Sequence, residues 1–174
     1  MLARYVTYSE FGAPRDVLSV ARKAAAPPGE GDILVRMAVR PINPSDLLPI
    51  RGAYPHRTPL PGIPGYEGVG VVVQVGASVS RALIGRRVLP LRGEGTWQQY
   101  VQSPAEWAVP VPDGLDDDAA AQLYINPVTA WLTCTETLAL GPGDTLIVNA
   151  GGSAIGRIYA HLAAVVGFRM IAVT

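Results

Sequence analysis

A chain of 174 residues, 49% hydrophobic and 16% charged, is long enough for one domain and part of a second and too apolar for a disordered segment. Fourteen basic residues balance fourteen acidic ones without a basic stripe, which argues against a nucleic-acid partner. The single cysteine, Cys134, excludes an intrachain disulfide and fits a reducing compartment.

The N-terminus, MLARYVTYSEFG, lacks the apolar run of a secretory signal, and the most apolar stretch, Ala119 to Cys134, is interrupted by Gln122, Asn126 and Pro127. No membrane span is expected, and the expected location is the cytoplasm, or an organelle matrix in a eukaryote. ARYVTYSE and VLSVARKA read as paired strands around the turn-rich FGAPRD. In GDILVRMAVRPI the residues Ile33, Val35, Met37 and Val39 alternate onto one face of a strand. PSDLLPIRG reads as a short helix beginning near Ser45, with the serine hydroxyl as its cap. The proline-rich stretch from Tyr54 to Pro64 is loop. GYEGVGVVVQVG resumes as a strand of small residues, suited to a tightly curved sheet or barrel, and RRVLPL, TWQQYVQS and EWAVPVP are further short strands.

The pattern changes at DGLDDDAAAQLY, where three aspartates ahead of an alanine run suit a helix N-terminus. NPVTAWLTCTETLAL follows as a second helix, with Pro127 in its first turn, and GPGD ends it. From Thr145 the order becomes strand, glycine turn, helix and strand. In NAGGSAIGR, Gly151 and Gly152 permit positive φ and a close backbone approach to phosphate, while Gly156 allows tight helix–strand packing. Ser153 stands where the middle glycine of a dinucleotide fingerprint would be, so an ordinary βα turn remains the alternative. His161, flanked at helical spacing by Ile158, Leu162 and Val165, reads as the edge of a packed face, and His56 as surface.

Six segments in order, FGAPRDVLSV, PINPSDLLPIRGAYP, PGIPGYEGVGVVVQVG, GTWQQYV, NPVTAW and LGPGDTLIVNAGGSAIG, resemble the N-terminal half of the medium-chain dehydrogenase/reductases. The likeness is to the zinc-independent branch of 2-enoyl thioester reductases and quinone oxidoreductases. It implies an α+β then α/β fold: a GroES-like β-barrel catalytic domain over residues 1–115, linker helices over 116–140, and at 141–174 the first βαβ unit of a Rossmann domain that would continue past Thr174. Zinc-dependent relatives carry a cysteine where NPSDL stands and a histidine at Tyr66, so only Glu67 of such a ligand set survives, and no metal is expected.

The resemblance places a catalytic tyrosine at Tyr54 of RGAYP; a phenol stays protonated at neutral pH and can hold a carbonyl or protonate a carbanion, although a loop tyrosine packed on prolines would read the same. It also implies Asn43, Asn126 and Thr129 near a nicotinamide, Gly151, Gly152, Ser153, Ile155 and Gly156 at a pyrophosphate, and Trp97 in the substrate cleft. Asn43 reads equally as a turn residue, Asn126 as an N-cap ahead of Pro127, and Glu67 as a hydrogen-bonding group within its own turn. The implied activity is NAD(P)H-dependent reduction of an activated carbon–carbon double bond, with NADPH favoured by the resemblance alone. The alternatives are quinone or small-enone reduction on the same scaffold and a non-catalytic binding or assembly module. The implied partners are a small-molecule substrate and, in a longer form, a second copy of the chain as a homodimer.

Overall fold

The computed structural model describes residues 2–174. They form two compact units, one ending at Ala121 and one spanning Gln122–Thr174.

The first unit opens with β1 (Leu2–Thr7). The single-turn helix α1 (Pro14–Val17) follows, and β2 (Ser19–Ala24) returns antiparallel to β1 in a register running from Leu2↔Ala24 to Thr7↔Ser19. Next come β3 (Asp32–Val39), helix α2 (Pro44–Ile50), β4 (Val69–Val75), β5 (Arg87–Pro90), β6 (Tyr100–Pro104) and β7 (Ala108–Pro110). These five strands build one antiparallel sheet in the order β6-β3-β4-β5-β7. The alternation in β3 holds for Ile33, Val35 and Met37, which are buried and pack with Val72, Val88 and Val101, whereas Val39, past a break in the β3–β4 register, is only partly buried. Leu34, on the opposite face, is also buried, so β3 is covered on both sides near its start. Gly70 is small because β4 lies against β3: a Cβ there would press on the Arg36 carbonyl and the Met37 backbone. Backbone bonds from Val6 to the Trp97 carbonyl (2.8 Å) and from Gln99 to the Arg4 carbonyl (3.0 Å) join the β1–β2 pair to this sheet. A last short helix, α3 (Asp117–Ala120), is capped by Asp116, and Arg87 ties it to β5 through Asp117 at 2.8 Å.

Helix α2 begins at Pro44, and Ser45 lies one residue inside it rather than at its cap. The reason is Asp46, at the third helical position, whose carboxylate reaches back to the Asn43 N–H at 2.7 Å, while Pro44 fits the first position without a free donor.

In the second unit, α4 (Ile125–Trp131) runs on into a π-helical turn over Leu132–Thr137. Its N-cap residue is Tyr124, so Asn126 is already the second helical residue and does not cap. Pro127 still falls within the first turn, where the N–H it lacks would have no helical partner. Then follow β8 (Thr145–Asn149), α5 (Ala154–Val166) and β9 (Arg169–Val173), with β8 and β9 parallel in the register Thr145↔Arg169 to Asn149↔Val173. Gly167, in the left-handed region at φ 95°, stops α5. The core here is small: Cys134, Ala163 and Phe168 are buried, with Tyr159, Leu162 and Val166 against them. Val165, expected on that face, is 78% exposed, because the packed stripe runs through Tyr159, Leu162 and Val166 instead. No helix of the described residues is long and apolar enough to cross a membrane.

Candidate active site

In the first unit the segment entering α2 and the turn entering β4 are locked together. The Asn43 side-chain amide donates to Glu67 Oε1 at 2.7 Å, and the Asp46 carboxylate accepts from the backbone N–H of both Asn43 (2.7 Å) and Tyr66 (3.0 Å). Glu67 thus bonds across to the other segment through Oε1. Its backbone carbonyl accepts the Thr96 hydroxyl at 2.8 Å, and Trp97 donates its indole N–H to the Pro41 carbonyl at 3.3 Å. Gly65, at φ 98°, has to be glycine: a Cβ would run into Thr96 Oγ1 and Trp97 Cδ1. Asp46 is 2% exposed, and burial pushes its carboxyl above the usual range. The two backbone donors pull it back down, and neighbouring Glu67 pushes it up again.

Tyr54, the expected proton donor, is 44% exposed on the loop after α2. Its carbonyl accepts from the Arg57 N–H (3.0 Å) and the Thr58 hydroxyl (2.9 Å), which fixes its backbone and leaves the ring toward solvent. Tyr66, 48% exposed, stands close enough to Tyr54 for their charges to interact: its phenol is raised first by burial, then by Asp46 and by Tyr54. Buried Tyr8 is raised by burial and by Tyr66, and its ring occupies the space a Cβ on Gly62 would need. The sequence reading treated Tyr66 only as a missing histidine and passed over Asp46 and Tyr8. The Asn–Pro–Ser–Asp spacing is the capping-box signal that would have found Asp46.

In the second unit, Gly151, Gly152, Ser153, Ile155 and Gly156 form the β8–α5 turn, and Asn126 and Thr129 lie on α4, which packs on α5. Ser153 caps α5, its hydroxyl oxygen accepting from the Gly156 N–H at 3.2 Å, so its own proton remains free to donate. The left-handed residue of the turn is Ala150 (φ 50°), and neither Gly151 nor Gly152 has positive φ. Their smallness serves other ends. A Cβ on Gly151 would meet Ala172 of β9, and one on Gly156 would meet the Gly151 carbonyl, whereas Gly152 faces open space. The turn thus presents bare backbone and the N-terminus of a 13-residue helix, which fits a pyrophosphate. Thr129 turns its hydroxyl back onto the Ile125 carbonyl at 2.7 Å.

Among the described residues no three His, Cys, Asp or Glu side chains cluster as a metal site would require. At the zinc position of the resemblance, Asn43 spends its amide on the Glu67 oxygen that a metal would need.

Residues 29–113 match the model of the alcohol dehydrogenase GroES-like domain. A Xenopus tropicalis protein named mitochondrial enoyl-acyl-carrier-protein reductase is 35% identical over 172 residues, which is 98% of this chain and 49% of that protein. The crystal structure of a candidate NADPH:quinone reductase from Bacillus thuringiensis superposes with a TM-score of 0.96 at 60% identity, over 99% of this chain and 52% of that one. A structure of Etr1p with NADP and crotonyl-CoA gives a TM-score of 0.85 at 27% identity, over 99% of this chain and 54% of that one. The chain spans about half the length of the curated relatives it matches. With its GroES-like domain followed by the opening strands of a Rossmann sheet, the chain belongs to the medium-chain dehydrogenase/reductase superfamily and matches the N-terminal half of its members.

Proposed function

We propose that this chain is the substrate-side half and first cofactor-binding unit of an NADPH-dependent reductase of activated carbon–carbon double bonds, with 2-enoyl thioesters as its substrate class. The observation that carries this is the exposed Tyr54 phenol, which makes no hydrogen bond among the described residues, beside Tyr66. NADPH, when bound, supplies the hydride that reduces the β-carbon. Tyr54 Oη then does the remaining work: it donates a hydrogen bond to the thioester carbonyl, or gives its proton to the α-carbon as the double bond is saturated. The Gly151–Gly156 turn and the Ser153 hydroxyl hold the pyrophosphate, and Asn43, Asn126 and Thr129 belong near the nicotinamide. Trp97 belongs to the substrate cleft. The relatives named for enoyl-acyl-carrier-protein reduction and the Etr1p complex with crotonyl-CoA support this substrate class.

The site works without a metal, a reading supported by the Asn43–Glu67 bond. The active form is a homodimer in the cytoplasm or an organelle matrix, and turnover belongs to a chain that also carries the rest of the cofactor domain. The 60% identical Bacillus thuringiensis protein, described as a quinone reductase, favours quinones as the second substrate reading.

The test grafts this chain onto the remaining half of that protein and compares it with its Tyr54→Phe variant. Loss of crotonyl-thioester turnover by about 10²- to 10⁴-fold is expected. Unchanged thioester turnover removes the role of Tyr54, and turnover of quinones alone moves the assignment to the second reading.

A further inference from the structure

Tyr66 is pinned within the first unit from two sides. Its backbone N–H rests on Asp46 Oδ1 at 3.0 Å. The residues ahead of it are held by the other segment: the Trp97 N–H donates to the Pro64 carbonyl at 2.9 Å and the Thr96 N–H to the Gly65 carbonyl at 3.0 Å. Asp46 belongs to α2, and the end of that helix fixes the backbone leading to Tyr54. The Arg51, Gly52 and Ala53 N–H groups close the last turn on the carbonyls of Leu47, Pro49 and Leu48, and the Ile50 carbonyl accepts from the Gly12 N–H at 2.9 Å. Gly52, at φ 79°, lies so close to Phe11 that a Cβ would press on it. Tyr66 is thereby tied to the elements that carry Tyr54 and Trp97, the residues assigned above to proton donation and to the substrate cleft.

The Tyr66 and Tyr54 phenols are close enough for their charges to interact, and among the described residues their oxygens are not hydrogen-bonded to each other. Asp46 of α2 and the buried Tyr8, after β1, also face Tyr66. A carboxylate beside a phenol disfavours its ionisation, so Tyr66 keeps its proton at neutral pH and acts as a donor. Two neutral phenols that approach without bonding each other leave room for one acceptor oxygen between them. The reduction also asks for two donors. Charge gathers on the carbonyl oxygen as the adjacent double bond is saturated, and the α-carbon needs a proton, whereas a single phenol has one O–H to give.

We propose that the two tasks are divided: Tyr66 Oη donates to the thioester carbonyl oxygen, and Tyr54 gives its proton to the α-carbon. The assignment rests on the enoyl-thioester reading and adds a second catalytic residue to it. As hydride from NADPH reaches the β-carbon, the π pair moves onto the α-carbon and the carbonyl oxygen, where the Tyr66 O–H bonds it and stays intact. The Tyr54 O–H then breaks, its proton forms the new α-carbon C–H bond, and the phenolate left on Tyr54 takes a proton from water.

The test uses the graft described above, with a crotonyl thioester isotope-labelled at its carbonyl and no NADPH, and reads the carbonyl stretch by difference infrared spectroscopy. The stretch should fall on binding to the parent, lose most of that shift in Tyr66→Phe, and keep it in Tyr54→Phe. A shift that survives Tyr66→Phe, a shift lost in Tyr54→Phe instead, or no shift in the parent would each overturn the proposal. With NADPH added, Tyr66→Phe should lower kcat about 10²-fold with little change in KM, and an unchanged kcat would overturn it as well. The purified chain alone gives a second check through the ring-carbon resonance of Tyr66. Tyr54→Phe removes one cause that holds the Tyr66 phenol above its usual range, so its titration should move to lower pH. A titration that stays in place would set the two rings too far apart to share one oxygen and overturn the proposal. Unchanged turnover in Tyr54→Phe sinks the proton-donor reading, whereas an unchanged carbonyl shift in Tyr66→Phe sinks only this proposal, so the two failures are told apart.

Discussion

The Asn43 side-chain amide donates to Glu67 Oε1 across 2.7 Å, and the two residues are only 9% and 2% exposed. Asn43→Ala takes one partner from a buried carboxylate and should cost about 1–3 kcal/mol in urea denaturation. Glu67→Gln, which keeps an acceptor oxygen, should cost less. An Asn43→Ala variant with the parent's midpoint would show that the bond carries no stability.

Asp46 sets a pH dependence whose sign follows from its burial. Its native pKa lies above the ordinary value of 3.8, so the folded chain holds that proton to higher pH than the unfolded chain does. The folded state therefore binds more protons in that window, and this group's contribution to stability falls as pH rises from near 3.8 through the raised native value. Asp46→Asn removes the titration. The stability of the parent minus that of the variant should shrink between acidic and neutral pH and then level off. A difference that grows with pH would contradict the burial of this carboxyl.

The three glycines of the β8–α5 turn should separate structure from ligand binding. Gly156→Ala forces a Cβ onto the Gly151 carbonyl and should cost about 1–3 kcal/mol. Gly152→Ala meets nothing and should change stability by less than about 0.5 kcal/mol. In a chain completed by a cofactor domain, the same Gly152→Ala should weaken NADPH measurably in a fluorescence titration. NADPH affinity untouched by Gly152→Ala would place the pyrophosphate elsewhere.

Cys134 is fully buried, and burial pushes its thiol pKa up, so the native chain holds little thiolate and shields it. Maleimide labelling followed by intact mass should give no adduct at neutral pH in the folded protein and one in urea. Rapid labelling without denaturant would mean that the second unit opens readily.

The parts of this architecture that follow periodicity were legible in the sequence. Ile33, Val35 and Met37 alternate because one face of β3 is core, and the strand–turn–helix–strand order from Thr145 follows from local patterns of two and 3.6 residues. What escaped depends on contacts between distant segments. The burial of Asp46 is not local, because its second partner, the Tyr66 N–H, lies 20 residues away. The left-handed conformation falls on Ala150 rather than on a glycine, while Gly151 and Gly156 are small for close approach to Ala172 and to the Gly151 carbonyl. Asn126 loses the capping position because the helix begins two residues earlier than that cap requires, at Ile125 with Tyr124 as its N-cap. The place of Tyr66 beside Tyr54 could not be read at all, since nothing local fixes where two exposed rings stand.

The β8–β9 pair has a further consequence for how this protein behaves in a crowded solution. Ile147, Ile171 and Val173 stand 67%, 52% and 52% exposed, and among the described residues neither edge of the pair carries a third strand. A bare ribbon of this kind is adhesive toward any extended chain it meets. For these residues prepared alone, association through that ribbon is expected to show as turbidity that rises with protein concentration.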